Sequence, residues 1–410
     1  MRCFFSCVLV CLASFAYGQD LTNGLIAHYS FDDCQNLNRE ESGNNQAAVI
    51  VGEPACVCGV SGNALLLDGV NDYLLFLGTI SNTFNRIDYT VSLYIKPTNA
   101  VGVQDIISKS ESCEDQREFS ISYSSGANSI SAELSGLVSA DSFSRISLNT
   151  QLSFDPCWYH IVLLRRGNQN QLFINGELVR ERNSPRINID NNAELNIANG
   201  ECVGITRNRF SGLIDELRVY NRALRVEEIQ ALYLAPDQIE TDDVLLFLGN
   251  SVDITLNETC ADAFAWSPTE GVEDPSEGET TITPTASGVF RYELDFADEF
   301  CVATDTIQIT VIDPEELPCA AQLPRAFTPN GDGRNDTYGI SNSVVLEGRL
   351  IEFEIFDRWG GRIFSTTDPF AKWDGTFNGK ELNPGVLLYR VRFMCGDEEL
   401  TDMGSLTLLR

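Results

Sequence analysis

Histidine is the scarcest chemistry-bearing residue in this 410-residue chain, which has only two, His28 and His160. Methionine is almost as sparse, at three, and basic side chains are outnumbered by acidic ones, 28 against 59, for a formal net charge of −31. Each shortage closes off a class of function. Both histidines sit in apolar, strand-like runs, IAHYSF and WYHIV, where a hydrogen-bonded structural imidazole is the expected role and a nucleophilic triad is not. The acidic excess leaves no basic footprint to release counterions from a polyanion, which argues against nucleic acid as a partner. Beyond the first 18 residues no apolar run approaches the roughly 20 residues that a membrane-spanning helix needs. The string Glu-x-Asp-x-x-Glu, which would set two carboxylates along one strand toward a glycosidic bond, is missing from residues 24–235. Its nearest match, Glu293-x-Asp295-x-x-Asp298, ends in the wrong residue. Zinc and phosphate-loop motifs are missing too.

What is present points outside the cell. Residues 1–18 carry one early charge, Arg2, an apolar run from Cys3 to Ala16 and a small-x-small site at Ala16-Tyr17-Gly18, the pattern of a signal peptide. Of 13 cysteines, three fall in that segment and ten remain, an even number that suits disulfides in an oxidising compartment. Each downstream segment holds two, so Cys260 with Cys301 and Cys319 with Cys395 are the expected bridges. Among the other six, Cys34 with Cys56 and Cys113 with Cys157 would leave Cys58 for Cys202. A zinc site at Cys56-x-Cys58 lacks the two-residue gap and a second ligand pair.

The chain is too long for one hydrophobic core, and its punctuation suggests where it divides. Ala235-Pro236-Asp237 opens a polar stretch, and Asp313-Pro314-Glu315-Glu316-Leu317-Pro318 is a linker rich in proline and acid. Three domains are expected, at 19–235, 240–313 and 319–410. Alternation with a period of two runs through all of them. In Tyr89–Pro97, YTVSLYIKP, residues 89, 91, 93 and 95 share one face, which reads as a half-buried strand. Similar runs occur at Ala64–Asp68, Asp105–Lys109, Glu118–Tyr123, Trp158–Arg165 and Leu213–Tyr220. Asn175-Gly176 inside QLFINGELV marks a hairpin, because both residues tolerate the positive φ of a type I′ turn. The one helix expected is Arg225–Leu234, with Glu227 and Glu228 in its first turn. The fold class is therefore all-β: a jelly-roll sandwich plus two smaller β-sandwich domains.

Two stretches carry family resemblances. SGNALLLDGVNDYL from Ser61, TVSLYIKP, DIISKS, WYHIVLLRRG, LFINGELV and FSGLIDELRVYNRAL resemble a laminin-G-like, concanavalin-type jelly roll over residues 24–233. LPRAFTPNGDGRND from Leu323, FEIFDRWGGRIF, KWDGTFNGKELNPGVLLYRV and the terminal GSLTLLR resemble the gliding-motility-associated C-terminal domain of Bacteroidetes proteins, a sorting tag read by the type IX secretion machinery. The middle stretch, with Trp266 amid strand patterns, reads as an Ig-like or PKD-like spacer.

The resemblances imply a secreted or cell-surface binding or adhesion protein that recognises carbohydrate or another surface ligand; the alternative on the same scaffold is an extracellular glycoside hydrolase. Jelly rolls of this kind hold a structural Ca²⁺ between their first and last strands, which nominates Asp215 as a ligand with Asp32 or Asp33 as its partner. Asn330–Asp336 has the spacing that opens a calcium loop but lacks its closing Glu, and reads as a Gly/Asn turn. Tyr73, Tyr94 and Tyr123 are candidates for a sugar-stacking surface. In the C-terminal domain Trp359 and Trp373 are expected in the core and the final strand, Ser405–Arg410, against the export machinery.

Overall fold

The computed structural model describes residues 20–85, 88–98, 101–113, 117–139, 142–189, 191–314, 320–331 and 334–409. The expected signal peptide at 1–18, and Cys319, lie outside them. The chain is all-β, and it divides into two compact units. The first comprises residues up to Asp242 with Asp253–Thr281 and Tyr292–Ile307; the second comprises Asp243–Val252, Ile282–Arg291 and Gln308–Arg410.

Two eight-stranded sheets build the first unit. One runs in the order Glu177–Asn183, Gln169–Ile174, Tyr159–Arg166, Tyr89–Pro97, Ser211–Tyr220, Asn63–Asp68 and Ala55–Cys58, with Leu25–Tyr29 also paired to Ser211–Tyr220. The other runs Ser142–Gln151, Ser129–Ser139, Glu118–Ser124, Val103–Lys109, Leu195–Ile197, Tyr73–Phe76 and Val49–Val51, with Asn208–Arg209 beside Val103–Lys109. Register sorts the side chains. Phe119 opposite Leu134 and Ile121 opposite Ala132 join the apolar core with Leu93, Ile95, Ile161 and Leu163, the side chains larger than alanine each worth about 1.5–3 kcal/mol by burial.

Tyr89–Pro97 matches its expected bounds but is buried on both faces rather than half-buried. Its second face is covered. Tyr94 packs with Val60, Ala64, Trp158 and Leu213, and nearby Val162, Leu164 and Tyr220 pack under Ile229 and Leu232 of the helix Val226–Leu232. That helix starts where the Glu228 carboxylate accepts the Arg225 N–H at 2.7 Å and both Arg222 guanidinium nitrogens at 2.9 Å, bonds that hold its pKa down to about 2. Asn175 and Gly176 turn the expected hairpin with φ of 51° and 78°.

The disulfides depart from expectation. Cys34 bonds Cys56, as read from the sequence, but Cys58 bonds Cys260, Cys113 bonds Cys202 and Cys157 bonds Cys301. The pairs Cys113–Cys157, Cys58–Cys202 and Cys260–Cys301 are therefore incorrect. Two of the real bonds tie residues 260 and 301 to the jelly roll, so the stretch 240–313 is not a free-standing spacer: its parts 253–281 and 292–307 belong to the first unit. There Ala263–Ser267 pairs antiparallel with the end of Gly288–Ala297, Trp266 opposite Leu294.

The second unit carries a five-stranded sheet in the order Ala326–Phe327, Glu398–Leu408, Gly385–Cys395, Leu350–Phe356 and Arg362–Thr366. Phe327, Tyr338, Phe353, Ile355, Trp373 and Val391 form its core. Trp359 does not join them. It lies on a turn, 82% exposed, with the Arg358 guanidinium over its ring. Cys395 is disulfide-bonded, and its expected partner Cys319 is outside the described residues. Of the stretch 330–336, residues 332 and 333 lie outside the described residues; Asp336 Oδ1 accepts the N–H groups of Asn330 and Gly331 at 2.9 and 2.7 Å. At the end of the final strand Ser405 is exposed while Leu406 and Leu408 are buried, and Leu409 just past the strand is exposed.

Candidate functional site

Asp215 and Asp32, nominated as calcium ligands, both reach one loop. Asp215 is fully buried, its Oδ2 accepting the Val60 N–H at 2.8 Å and its Oδ1 the Glu216 N–H at 2.7 Å. Burial, and next the negative Glu216, push its pKa up to about 9 against those backbone donors. Asp32 Oδ1 accepts the Asn63 N–H at 2.9 Å, and the Asp32 carbonyl accepts Asn63 Nδ2 at 2.9 Å. Both acids thus clamp residues 59–63, the entrance to SGNALLLDG. Gly59 and Gly62 are needed there because a Cβ would collide with Asp215 Oδ2 at the first and Asp32 Oδ1 at the second. Oxygens already receiving N–H groups do not make the six to eight donors Ca²⁺ requires, so the pair does not fit that ion. Among the described residues no group of three or more His, Cys, Asp or Glu could hold a metal.

The two histidines are structurally committed. His28 Nε2 lies 3.1 Å from Glu216 Oε2 and its Nδ1 3.7 Å from Glu41 Oε2. His160 is fully buried, its Nε2 2.8 Å from Ser92 Oγ and its ring stacked on Tyr94 at 4.5 Å and Tyr233 at 6.2 Å. Burial, helped by the Arg218 charge, pushes its pKa down to about 3, so the ring is neutral at physiological pH.

The sheet face opposite the core carries a polar ladder that sequence reasoning missed. Ser108, Ser120, Glu133 and Ser147 lie side by side across four strands, and Ser122, Ser131 and Asn149 form the next row. Over them Arg207 reaches Asp105 Oδ1 at 3.1 Å, Glu118 Oε1 at 3.0 Å and Glu133 Oε2 at 3.6 Å, while Arg145 pairs with Glu133 at 2.7 Å. Burial drives the Asp105 pKa up and Arg207 opposes it. The loop that delivers Arg207 is pinned by Cys113–Cys202. The signal was in the sequence: Ser120 and Ser122 alternate with Phe119, Ile121 and Tyr123.

An open pocket of about 580 Å³ lies elsewhere on the same unit, lined by Val138, Asn168, Asn183, Ser184, Pro185 and Arg186. Its walls come from the end of the strand Ser129–Ser139, the hairpin turn after Arg166, and the chain leaving Glu177–Asn183. Local bonds fix them. Ser184 N–H donates to the Asn168 carbonyl at 2.8 Å and its Oγ receives Asn170 Nδ2 at 3.0 Å. Arg186 pairs with Asp88 at 3.2 Å, and Asp88 Oδ1 also accepts the Gly167 N–H at 2.9 Å. Amide, hydroxyl and guanidinium groups beside proline and valine suit a ligand rich in hydroxyls with apolar edges. Two of the three candidate aromatic residues are withdrawn from any such surface: Tyr94 is buried, and Tyr123 is buried with its hydroxyl bonded to Asn128 Oδ1 at 2.9 Å. Tyr73 is half-buried beneath Arg209, 4.7 Å from its ring.

Two family models match parts of the chain. Residues 68–230 match the family described as concanavalin A-like lectin/glucanases superfamily, and residues 321–408 match the CHU_C type IX secretion signal domain. No curated protein matches the chain. Among solved structures, it is similar to domain 4 of AbnA, a GH43 extracellular arabinanase from Geobacillus stearothermophilus in complex with arabinotriose, with 21% identity, 51% of this chain and 98% of that one covered, and a TM-score of 0.37. A Ruminococcus gnavus IT-sialidase CBM40 bound to α2,3 sialyllactose is 19% identical over 37% of this chain and 85% of its own, with a TM-score of 0.30. The binding domain of Paraclostridial Mosquitocidal Protein 1 is 13% identical over 93% and 89%, with a TM-score of 0.43.

Proposed function

We propose that this chain, which carries a concanavalin A-like domain at residues 68–230 and a type IX secretion signal domain at residues 321–408 and is thereby exported to the cell surface or beyond, is a non-enzymatic carbohydrate-binding protein. The observation that carries the reading is the pocket at Val138, Asn168, Asn183, Ser184, Pro185 and Arg186. Its volume falls within the roughly 300–1,000 Å³ of ordinary ligand sites, and its groups match sugar hydroxyls. Hydrolysis of a glycoside calls for two carboxyl groups about 5 to 9.5 Å apart across the bond. The pocket wall offers amides and a guanidinium instead, and the acid beside it, Asp88, is held by Arg186 and Gly167.

A glycan array probed with the purified protein tests this. Binding should appear without product release, survive chelator because Asp215 and Asp32 are engaged by backbone N–H groups, and weaken at least tenfold in Asn168→Ala with Asn183→Ala. Turnover on any polysaccharide, or binding that the double variant leaves intact, would overturn the assignment.

A further inference from the structure

Lys96 is the least expected cation in the first unit. It sits on the strand Tyr89–Pro97 with 1% of its surface exposed, its Nζ 5.8 Å from the centre of the Trp158 ring, and it contacts Asp298 Oδ2. The other oxygen of that carboxyl, Asp298 Oδ1, accepts two backbone N–H groups, from Phe300 at 2.8 Å and Cys301 at 3.0 Å. A second acid, Asp237, is 7% exposed and within electrostatic reach of both partners. Its Oδ1 accepts the Thr259 hydroxyl at 2.6 Å. Cys157–Cys301 fixes Asp298 and Trp158 at once, since each is close in sequence to one end of that bond.

Taken singly, these could be a buried ion pair. Together they form the parts of an acyl-transfer site. The amine touches one oxygen of a carboxyl group while two preorganised N–H donors hold the other, as an oxyanion site does. The amine and carboxyl are held in contact, which removes most of the entropy cost of a bimolecular condensation. The surroundings are largely dry, so the water released has no large local excess opposing it. A third, titratable group, Asp237, lies within electrostatic reach of the pair.

We propose that Lys96 and Asp298 join in an intramolecular isopeptide bond, with Asp237 as the proton shuttle. Asp237 as carboxylate takes a proton from the Lys96 ammonium. The nitrogen lone pair attacks Asp298 Cγ, and negative charge collects on Oδ1 between the Phe300 and Cys301 N–H groups. The Cγ–Oδ2 bond then breaks, and that oxygen leaves as water carrying two protons from the nitrogen, one of them through Asp237. Ammonium and carboxylate become amide and water, with no net proton, oxidant or reductant required. Burial, opposed in order by the Thr259 bond and the Lys96 charge and reinforced by Asp298, raises the Asp237 pKa, which makes it a better proton acceptor than an ordinary carboxylate.

Mass spectrometry of the intact, fully reduced protein tests for the bond without any variant. The expected mass is one water below that calculated for the purified chain without the bond, and trypsin should release the peptides holding Lys96 and Asp298 as one branched species. Lys96→Ala and Asp298→Ala should each restore the missing water, and Asp237→Asn should leave the pair unjoined or slow to join. If the wild-type chain yields those two peptides separately and at full mass, the bond does not form and the proposal fails. It fails equally if Asp298→Ala keeps the branched species, because another acid would then be the partner.

Discussion

Acidification should remove from the first unit a stabilising contribution that belongs to His160. Its folded pKa is depressed to about 3 by burial, whereas an unfolded imidazole titrates near 6.5. A depressed pKa means that the unfolded state binds the proton first, so the stability is complete above about pH 6.5 and is lost as pH falls toward 3. Between pH 7 and pH 5 the unfolded ring becomes almost fully protonated while the folded ring takes up almost nothing, and integrating that difference gives about 2 kcal/mol. The substitution that isolates this is His160→Gln, which keeps a polar group facing Ser92 Oγ and removes the titration. Urea unfolding at both pH values, for wild type and variant, supplies four free energies. Wild type should lose about 2 kcal/mol more than the variant over that interval. Parallel losses would mean that His160 either stays neutral when unfolded or finds a proton when folded, and the account of its burial would be wrong.

Other expectations rest on different contacts. Arg207→Met should cost about 3–5 kcal/mol in chemical denaturation, because it strands the fully buried Asp105; a loss below about 1 kcal/mol would show that the carboxyl is simply protonated. Gly59→Ala forces a Cβ against Asp215 Oδ2 and the Asn63 backbone, so it should lower the melting temperature, and Asp215→Ala in the same chain should recover part of the loss. Removing residues 319–410 deletes the secretion signal domain, and cell fractionation should then find the jelly roll retained in the periplasm; surface delivery of the truncated chain would refute the sorting role.

The strands were legible because alternation is a local property. Tyr89–Pro97 could be bounded from its own residues, and Asn175-Gly176 announced its turn through conformational tolerance alone. Burial of the second face of Tyr89–Pro97 was not legible, since Tyr94 and Lys96 are covered by residues such as Tyr233, Asp298 and Phe300 that lie far along the chain. The same distance defeated the disulfide reading. Pairing cysteines within each segment assumes that each segment folds by itself, and Cys58–Cys260 with Cys157–Cys301 shows that it does not. Trp359 was misplaced for a simpler reason: an aromatic residue beside glycines reads as apolar, but Arg358-Trp359-Gly360 forms a turn that leads the ring into solvent. The pocket had no sequence signature, because Val138 and residues 183–186 meet only after the sheets form.

The bond between Cys58 and Cys260 has a meaning for a protein exported to the cell surface or beyond, should a protease reach it. It closes a covalent ring over 202 positions of the chain, which includes nearly the whole jelly roll. A single cut at any loop inside that ring opens the backbone without releasing a fragment, because the two pieces remain one molecule through sulfur. The jelly roll can therefore be nicked in service and stay joined, through residue 260, to everything that follows it.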